Sequence, residues 1–295
     1  SKQGLLDKLS SLRHGLYFRI WKTNYQFCTK LPLPFIKSPK KSMRPYILKE
    51  ASWKSLQTFR YELAVLPWGA TEAHNYHLPY GTDVYEADAI AEEGARKAWE
   101  KGNKVVVLPT VPFGVNTGQS DIYLDLNLNP STQLLILQDL IEVFQRQGLK
   151  KLLILNSHGG NNFQPMLREL GLKYPDMLLF TCNWFQALDK SQYFEEGGDH
   201  ADEMETSLIQ YLHPELVAPL EEAGLGTEKK SVIRGIREKW AWAERKWSEV
   251  SEDTGIGNPK KASPEKGRRY FEYVTDKISD LIGDICQAKP GGLYR

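Results

Sequence analysis

Tyr61-Glu62-Leu63-Ala64-Val65-Leu66-Pro67 is an apolar run of strand length closed by turn-forming residues, and it leads into Trp68-Gly69-Ala70-Thr71-Glu72-Ala73-His74. Runs of this length, bounded by turn signals, read as buried strands. A second run, Lys151-Leu152-Leu153-Ile154-Leu155, repeats the arrangement and is followed by Asn156-Ser157-His158-Gly159-Gly160-Asn161. Near-continuous apolar strands belong to parallel sheets covered on both faces, and ligands bind in the crevice beyond the carboxyl ends of such strands. Two strand ends are therefore predicted to converge on one site. The first supplies Glu72, His74, His77 and Asp83, and the second supplies His158.

Outward from these runs the pattern is regular. Residues 84–100 and 131–147 have helical periodicity, the latter introduced by Asn129-Pro130-Ser131, and they alternate with strand-like segments 104–108 and 151–155. A further strand is read over 178–183. Ser263-Pro264-Glu265 opens a final helix, with Ser as N-cap and Pro in the first turn. The alternation predicts an α/β fold, a three-layer sandwich with a largely parallel central sheet.

A carboxylate and an imidazole two residues apart, with another carboxylate shortly after, are the groups that hold hydrolytic Zn²⁺, Mn²⁺ or Fe²⁺. Alone, a Glu-x-His pair is more often a surface or N-cap arrangement; Asp83 and His158 are what raise it to a metal-site reading. His77 either supports a ligand by hydrogen bond or packs as a structural histidine under the loop. In Asp199-His200-Ala201-Asp202-Glu203-Met204-Glu205-Thr206-Ser207, polar residues open a helix that runs on through Leu208, Ile209 and Leu212. Its acids either favour the positive end of that helix or, for Glu205, face the cavity as a ligand. His200 is a proton carrier or a cap. Gly159 and Gly160 form a tight turn that also permits close approach of backbone to ligand. Trp184 is a wall for a flat heterocycle or a core filler. Trp240, Trp242 and Trp247 are read as core packing, or alternatively as a lid or subunit contact.

These motifs make the chain resemble the creatininase (creatinine amidohydrolase) family of dinuclear metal hydrolases. The matching pieces are Gly69–His74, His77–Asp83, Asn156–Asn161 and His200–Ser207, with a weaker match over Gly255–Gly267. The resemblance implies two divalent metal ions, Zn²⁺ paired with Zn²⁺, Mn²⁺ or Fe²⁺. Glu72, Asp83 and His158 would hold one ion, His74 and Asp83 the other, with Asp83 bridging. In creatininase proper a Glu two residues after the histidine matching His158 completes the second site; Gly160 stands there in this chain, and Glu205 is the expected substitute. The resemblance also implies a homo-oligomer, with a hexamer among the candidates. Two departures point to a rebuilt pocket: Asn75-Tyr76 replaces the usual Gly-Pro, and the loop 114–130 lacks the Glu-His and Pro-Gly-Thr pieces usual there.

Composition fits an enzyme of one main domain. The 295 residues are 41% hydrophobic, and no apolar run approaches the ~18 residues of a membrane span. A net charge of +1 argues against nucleic acid as a partner. Charge is uneven, because residues 1–45 hold ten Lys or Arg against Asp7 alone, about +9, leaving about −8 elsewhere. Residues 1–43 therefore read as a basic N-terminal extension or arm, without a secretory signal, and 44–295 as the metal-hydrolase domain. Cys28, Cys182 and Cys286 are odd in number and form no CxxC pair, so neither a disulfide frame nor a thiolate zinc site is suggested, and a reducing cytoplasm suits them.

The sequence thus predicts a metal-dependent amidohydrolase that cleaves a C–N bond of a small, creatinine-like or formamide-type amide through a hydroxide shared between two ions. His200 and Glu205 would serve catalysis, and Trp184, Gly159 and Gly160 the substrate. The alternative is a non-catalytic family member, a small-ligand-binding or assembly subunit.

Overall fold

Strands β1 (Leu63–Trp68), β2 (Val105–Val107), β3 (Lys151–Asn156) and β4 (Leu178–Asn183) form a sheet of order β2-β1-β3-β4, parallel throughout. The computed structural model describes residues 43–294. The predicted basic arm lies, apart from Met43, outside the described residues.

Alternation along the strands divides the core in two, because successive side chains face opposite sides of a sheet. Leu63, Val65, Val105, Val107, Leu153 and Leu155 pack on one face. They meet α2 (Thr82–Glu100), α5 (Glu203–Leu212) and α8 (Pro264–Gln287), which contribute Ile90, Leu208 and Ile278 among others. Ala64, Leu66, Trp68, Leu152 and Ile154 face the other way, onto α3 (Pro130–Gln147) and α4 (Gln164–Lys173) through Leu137, Ile141, Met166 and Leu170. The result is the three-layer α/β sandwich read from the sequence.

The helix ends follow local chemistry. Pro130 occupies the first turn of α3, and Gly148 closes it in the left-handed conformation, φ 78°. Ser263 caps α8, its side chain accepting the Lys266 amide at 3.3 Å. Three short helices complete the set among the described residues: α1 (Trp53–Leu56), α6 (Arg234–Arg237) and α7 (Trp247–Val250). A small antiparallel pair, β5 (Gly198–His200) with β6 (Ile256–Gly257), lies outside the main sheet. Among the described residues no helix is long and apolar enough to cross a membrane.

Helix α8 is pressed against α5 at Gly267, where an added Cβ would meet the Ser207 carbonyl oxygen at 1.9 Å. Gly267→Ala should therefore destabilise the protein by ~1–3 kcal/mol through overpacking. Gly171→Ala, on α4 with open space around it, should stabilise by up to ~1 kcal/mol. Thermal unfolding of both variants checks this, and an unchanged melting temperature for Gly267→Ala would refute the close helix contact.

Candidate metal centre

The site begins where β1 and β3 end side by side. Trp68 pairs with Asn156 in the ladder, and the Ser157 amide donates to the Trp68 carbonyl at 2.9 Å, so the two loops leave the sheet at one level. Gly69 is required next: a Cβ there would lie 2.9 Å from the Asp83 and Val84 backbone, which lets the first turn of α2 close over the strand end. The Asn156 carboxamide shapes the second loop. Its Nδ2 donates to the His158 carbonyl at 2.8 Å, and its Oδ1 accepts the His158 amide at 3.2 Å and Asn161 Nδ2 at 2.9 Å.

Three buried histidines share one arrangement, in which a ring nitrogen is tied to a backbone carbonyl. His74 Nδ1 donates to the Glu72 carbonyl at 3.1 Å, His158 Nε2 to that of Val115 at 3.1 Å, and His200 Nε2 to that of Ala73 at 2.8 Å. Each bond fixes the ring and leaves the other nitrogen facing the carboxylates. His74 Nε2 is 3.2 Å from Asp83 Oδ1 and 4.0 Å from Glu205 Oε2. His158 Nδ1 is 3.0 Å from both Glu72 Oε1 and Asp83 Oδ2. His200 Nδ1 lies 3.7 Å from Glu72 Oε1, its ring 4.1 Å from that of His74. Donor atoms within 4.8 Å of one another form three overlapping groups able to hold a metal ion: Glu72/Asp83/His158, His74/Asp83/Glu205 and Glu72/His74/His200. Buried oxygen and imidazole donors at such spacing fit Zn²⁺, Mn²⁺ or Fe²⁺.

Within the cluster these charges balance one another. Burial works against every charge, yet Asp83, Glu205 and Glu72 outweigh it at His74 and lift that imidazolium to about 10. His158 is likewise raised by Glu72 and Asp83 against the cost of burial. Burial also opposes ionisation of Glu72 and Asp83, but the histidine cations hold both carboxyls below their ordinary range. Glu205 is pushed up to about 8 by burial, with Asp202 and Asp83 adding to it. Burial and the His74 cation lower His200, which favours its neutral form.

A cleft of about 480 Å³ opens over this cluster. Gly159 and Gly160 line it, and a Cβ on Gly160 would meet the Val115 carbonyl oxygen at 2.3 Å, so no carboxylate fits at that position. Glu205 reaches the cluster from the first turn of α5, its Oε2 accepting the Ala201 amide. Asp202 is the N-cap, accepting the Met204 and Glu205 amides at 2.9 and 3.1 Å.

Two expected roles need correction. Trp184 does not line the cleft: it is 1% exposed, and its Nε1 donates to Ser157 Oγ at 2.8 Å beneath the His158 loop. The neighbouring Phe185 faces the cleft instead. His77 touches none of the candidate ligands; its Nε2 pairs with Thr206 Oγ1 at 2.8 Å, fastening the first loop to α5. Core packing also fails for two of the three downstream tryptophans. Trp247 is buried, with its ring 5.2 Å from His200, whereas Trp240 and Trp242 are exposed and Trp242 lines the cleft.

Gln119 and Asp125 were not singled out by the sequence. Gln119 Nε2 donates to Glu72 Oε2, and Asp125 Oδ1 accepts the Ala73 amide at 2.7 Å. Both lie in the loop 114–130 that departs from the family pattern; that departure marked the loop but not its residues.

A parallel sandwich carrying buried carboxylates and imidazoles at its strand ends defines an α/β protein with a site able to hold metal. The chain belongs to the creatininase family, described as creatinine amidohydrolase, whose profile matches residues 49–282. A putative creatinine amidohydrolase from Bacteroides fragilis is 42% identical, covering 86% of this chain and 100% of its own, with a TM-score of 0.80. The 3-dehydro-scyllo-inosose hydrolase of Thermotoga maritima is 25% identical over 78% of this chain and 80% of its own. The mycofactocin precursor peptide peptidase of Mycobacterium ulcerans is 24% identical over 77% and 86%. The chain thus carries a hydrolase fold whose relatives act on small molecules and on peptides.

His77 gives the site's underside a pH dependence. Burial, with the His74 cation and Lys260 nearby, holds its imidazolium down at about 4 against an ordinary 6.5. The folded state therefore resists a proton that the unfolded chain takes up, so stability is full above pH 6.5 and lost as pH falls towards about 4. His77→Gln removes this component. The melting-temperature gap between parent and variant should shrink from neutral pH to about pH 4.5, and a constant gap would refute the assignment.

Proposed function

We propose that the chain is a metal-dependent amidohydrolase that holds two divalent ions and cleaves the C–N bond of a small amide. The observation that carries this reading is the divided carboxylate of Asp83: Oδ1 faces His74 Nε2 at 3.2 Å while Oδ2 faces His158 Nδ1 at 3.0 Å. Asp83 would be shared, with Glu72 and His158 completing one set and His74 and Glu205 the other. When bound, the ions would supply Lewis acidity to the carbonyl oxygen and lower the pKa of the attacking water.

The chain's own groups would do the rest. With Nε2 tied to the Ala73 carbonyl, His200 would take a proton from the attacking water on Nδ1, and burial favours the neutral imidazole that this needs. Handing that proton to the departing nitrogen avoids expulsion of an amide anion. Gly159 and Gly160 would admit the substrate close to the backbone. Carboxamides of Asn116, Asn162 and Asn183 line the cleft beside Phe185 and Trp242, a pairing of hydrogen-bonding groups with flat apolar surface that suits a small polar amide. The same reading makes the enzyme cytoplasmic and homo-oligomeric; Cys182 and Cys286 are unpaired, their thiols pushed up to about 11 by burial.

Elemental analysis of the purified protein tests the metal. About two ions per chain are expected in the parent, one in Glu205→Gln and fewer than one in Asp83→Asn. Release of amine from creatinine, N-formyl amides and short peptides tests the reaction. His200→Ala should lower kcat about 10²–10⁴-fold with metal content retained. No bound metal after incubation with Zn²⁺ or Mn²⁺ would leave the ligand-binding subunit as the better reading.

A further inference from the structure

One wall of the cleft comes from an excursion that leaves the body after Gly226 and returns at Ile256. Its returning limb supplies Trp242, Arg245 and Trp247 to the lining. Both feet of this excursion meet at Asn75, in the first metal loop. Asn75 Oδ1 accepts the Gly224 amide at 2.8 Å, and Nδ2 donates to the Gly224 carbonyl at 3.2 Å. Its own amide donates to Thr254 Oγ1 at 2.9 Å. Its backbone is left-handed, φ 54°, a conformation Asn tolerates better than most residues.

From Thr254 the contacts run on into the site. The Thr254 carbonyl accepts Trp247 Nε1 at 2.7 Å, the Trp247 ring meets His200 edge-on at 5.2 Å, and the Arg245 guanidinium lies over Trp247 at 4.4 Å. Asp253 laces the feet together, taking the Gly226 amide on Oδ2 at 2.9 Å and the Gly255 amide on Oδ1 at 3.0 Å. There is no slack: a Cβ on Gly255 would lie 2.7 Å from Asn75 Nδ2. The adjacent Tyr76 hydroxyl donates to the Glu252 carbonyl at 3.2 Å. The Asn-Tyr pair at 75–76, one of the two departures from the family pattern, is thus the join between metal loop and wall.

We infer that Asn75 is a positioning residue that braces the metal loop to the cleft wall, so that the seating of Trp247 on His200 and the wall's grip on substrate depend on it. This rests on the proposed hydrolase site, but the brace itself can be tested without turnover. Asn75→Gly removes the side chain while keeping the left-handed backbone free of strain, and Asn75→Asp keeps the acceptor for Gly224 and Tyr76.

Hydrogen–deuterium exchange on the full chain after Zn²⁺ incubation reads the result. In Asn75→Gly, amides across 224–255 should exchange about tenfold faster or more, with those of 151–156 unchanged. Trp247 should become more accessible to acrylamide quenching, metal content should hold, and Asn75→Asp should recover part of the protection. For any amide the parent cleaves, KM should rise about tenfold with kcat little changed. Faster exchange confined to 224–226 with unchanged quenching, or loss of metal with the whole defect in kcat, would overturn the brace. Should the parent cleave none of the amides, the function proposal fails while exchange and quenching still decide the inference.

Discussion

The register between β1 and β3 is the constraint on which the site depends. Trp68 lies opposite Asn156, and one further rung joins Ser157 to Trp68. A slip of one residue would invert every side chain of a strand. It would carry the alternating core residues of the slipped strand, Leu63 and Val65 of β1 or Leu153 and Leu155 of β3, from one helical layer to the other, and it would separate the loop of Glu72 and His74 from that of His158. Packing on both faces therefore enforces the level at which the loops meet. The sheet needs no polar group to hold that level, which leaves the carboxamide of Asn156 free to shape the His158 loop.

Buried carboxylates have three fates in this structure, and the contrast indicates which are built to receive positive charge. Glu203, fully buried, accepts the Glu195 and Glu196 amides at 2.9 and 2.7 Å and pairs with Lys266, so its charge is satisfied internally. Glu86, also fully buried, has neither oxygen hydrogen-bonded; burial, reinforced by Glu205, Asp83 and Asp202, pushes it well up and favours its neutral form. Glu72 and Asp83 are ionised, yet face imidazoles whose other nitrogens are already committed to carbonyls. A buried anion is costly unless paired, and here the partners are groups that must shed a proton when a metal binds. Protons and metal ions would thus compete for the same cluster.

Much of this was legible in the sequence because it is local. The apolar runs become β1, β3 and β4 within a residue or two, and Pro130 and Ser263 mark their helix starts as read. The convergence of Glu72, His74, Asp83 and His158 follows from strand ends in a parallel sheet. Errors arise where neighbours in sequence face opposite ways. Of the two readings of Trp184 the core filler holds, and Phe185, not singled out by the sequence, lines the cleft instead, at a turn of 3-10 helix whose orientation periodicity cannot supply. Asn75 and Thr254 are 179 residues apart, and their bond leaves no mark in either neighbourhood. Gln119 and Asp125 reach the loop of Glu72 and Ala73 through loop geometry alone.

The proposed ligand Glu205 shows how far the site's geometry extends. With Gly160 sterically closed to a side chain, the carboxylate grouped with His74 and Asp83 comes from another element, α5. Asp202 caps that helix, Ala201 takes a left-handed φ of 50°, and its amide seizes the Glu205 carboxylate, which fixes the first turn. The depth of α5 is set in turn by α8, through Gly267 against Ser207 and through Lys266 on Glu203. Neither Gly267 nor Lys266 lines the cleft. A helix that begins at Pro264, far downstream of Glu205, therefore sets the reach of one proposed metal ligand.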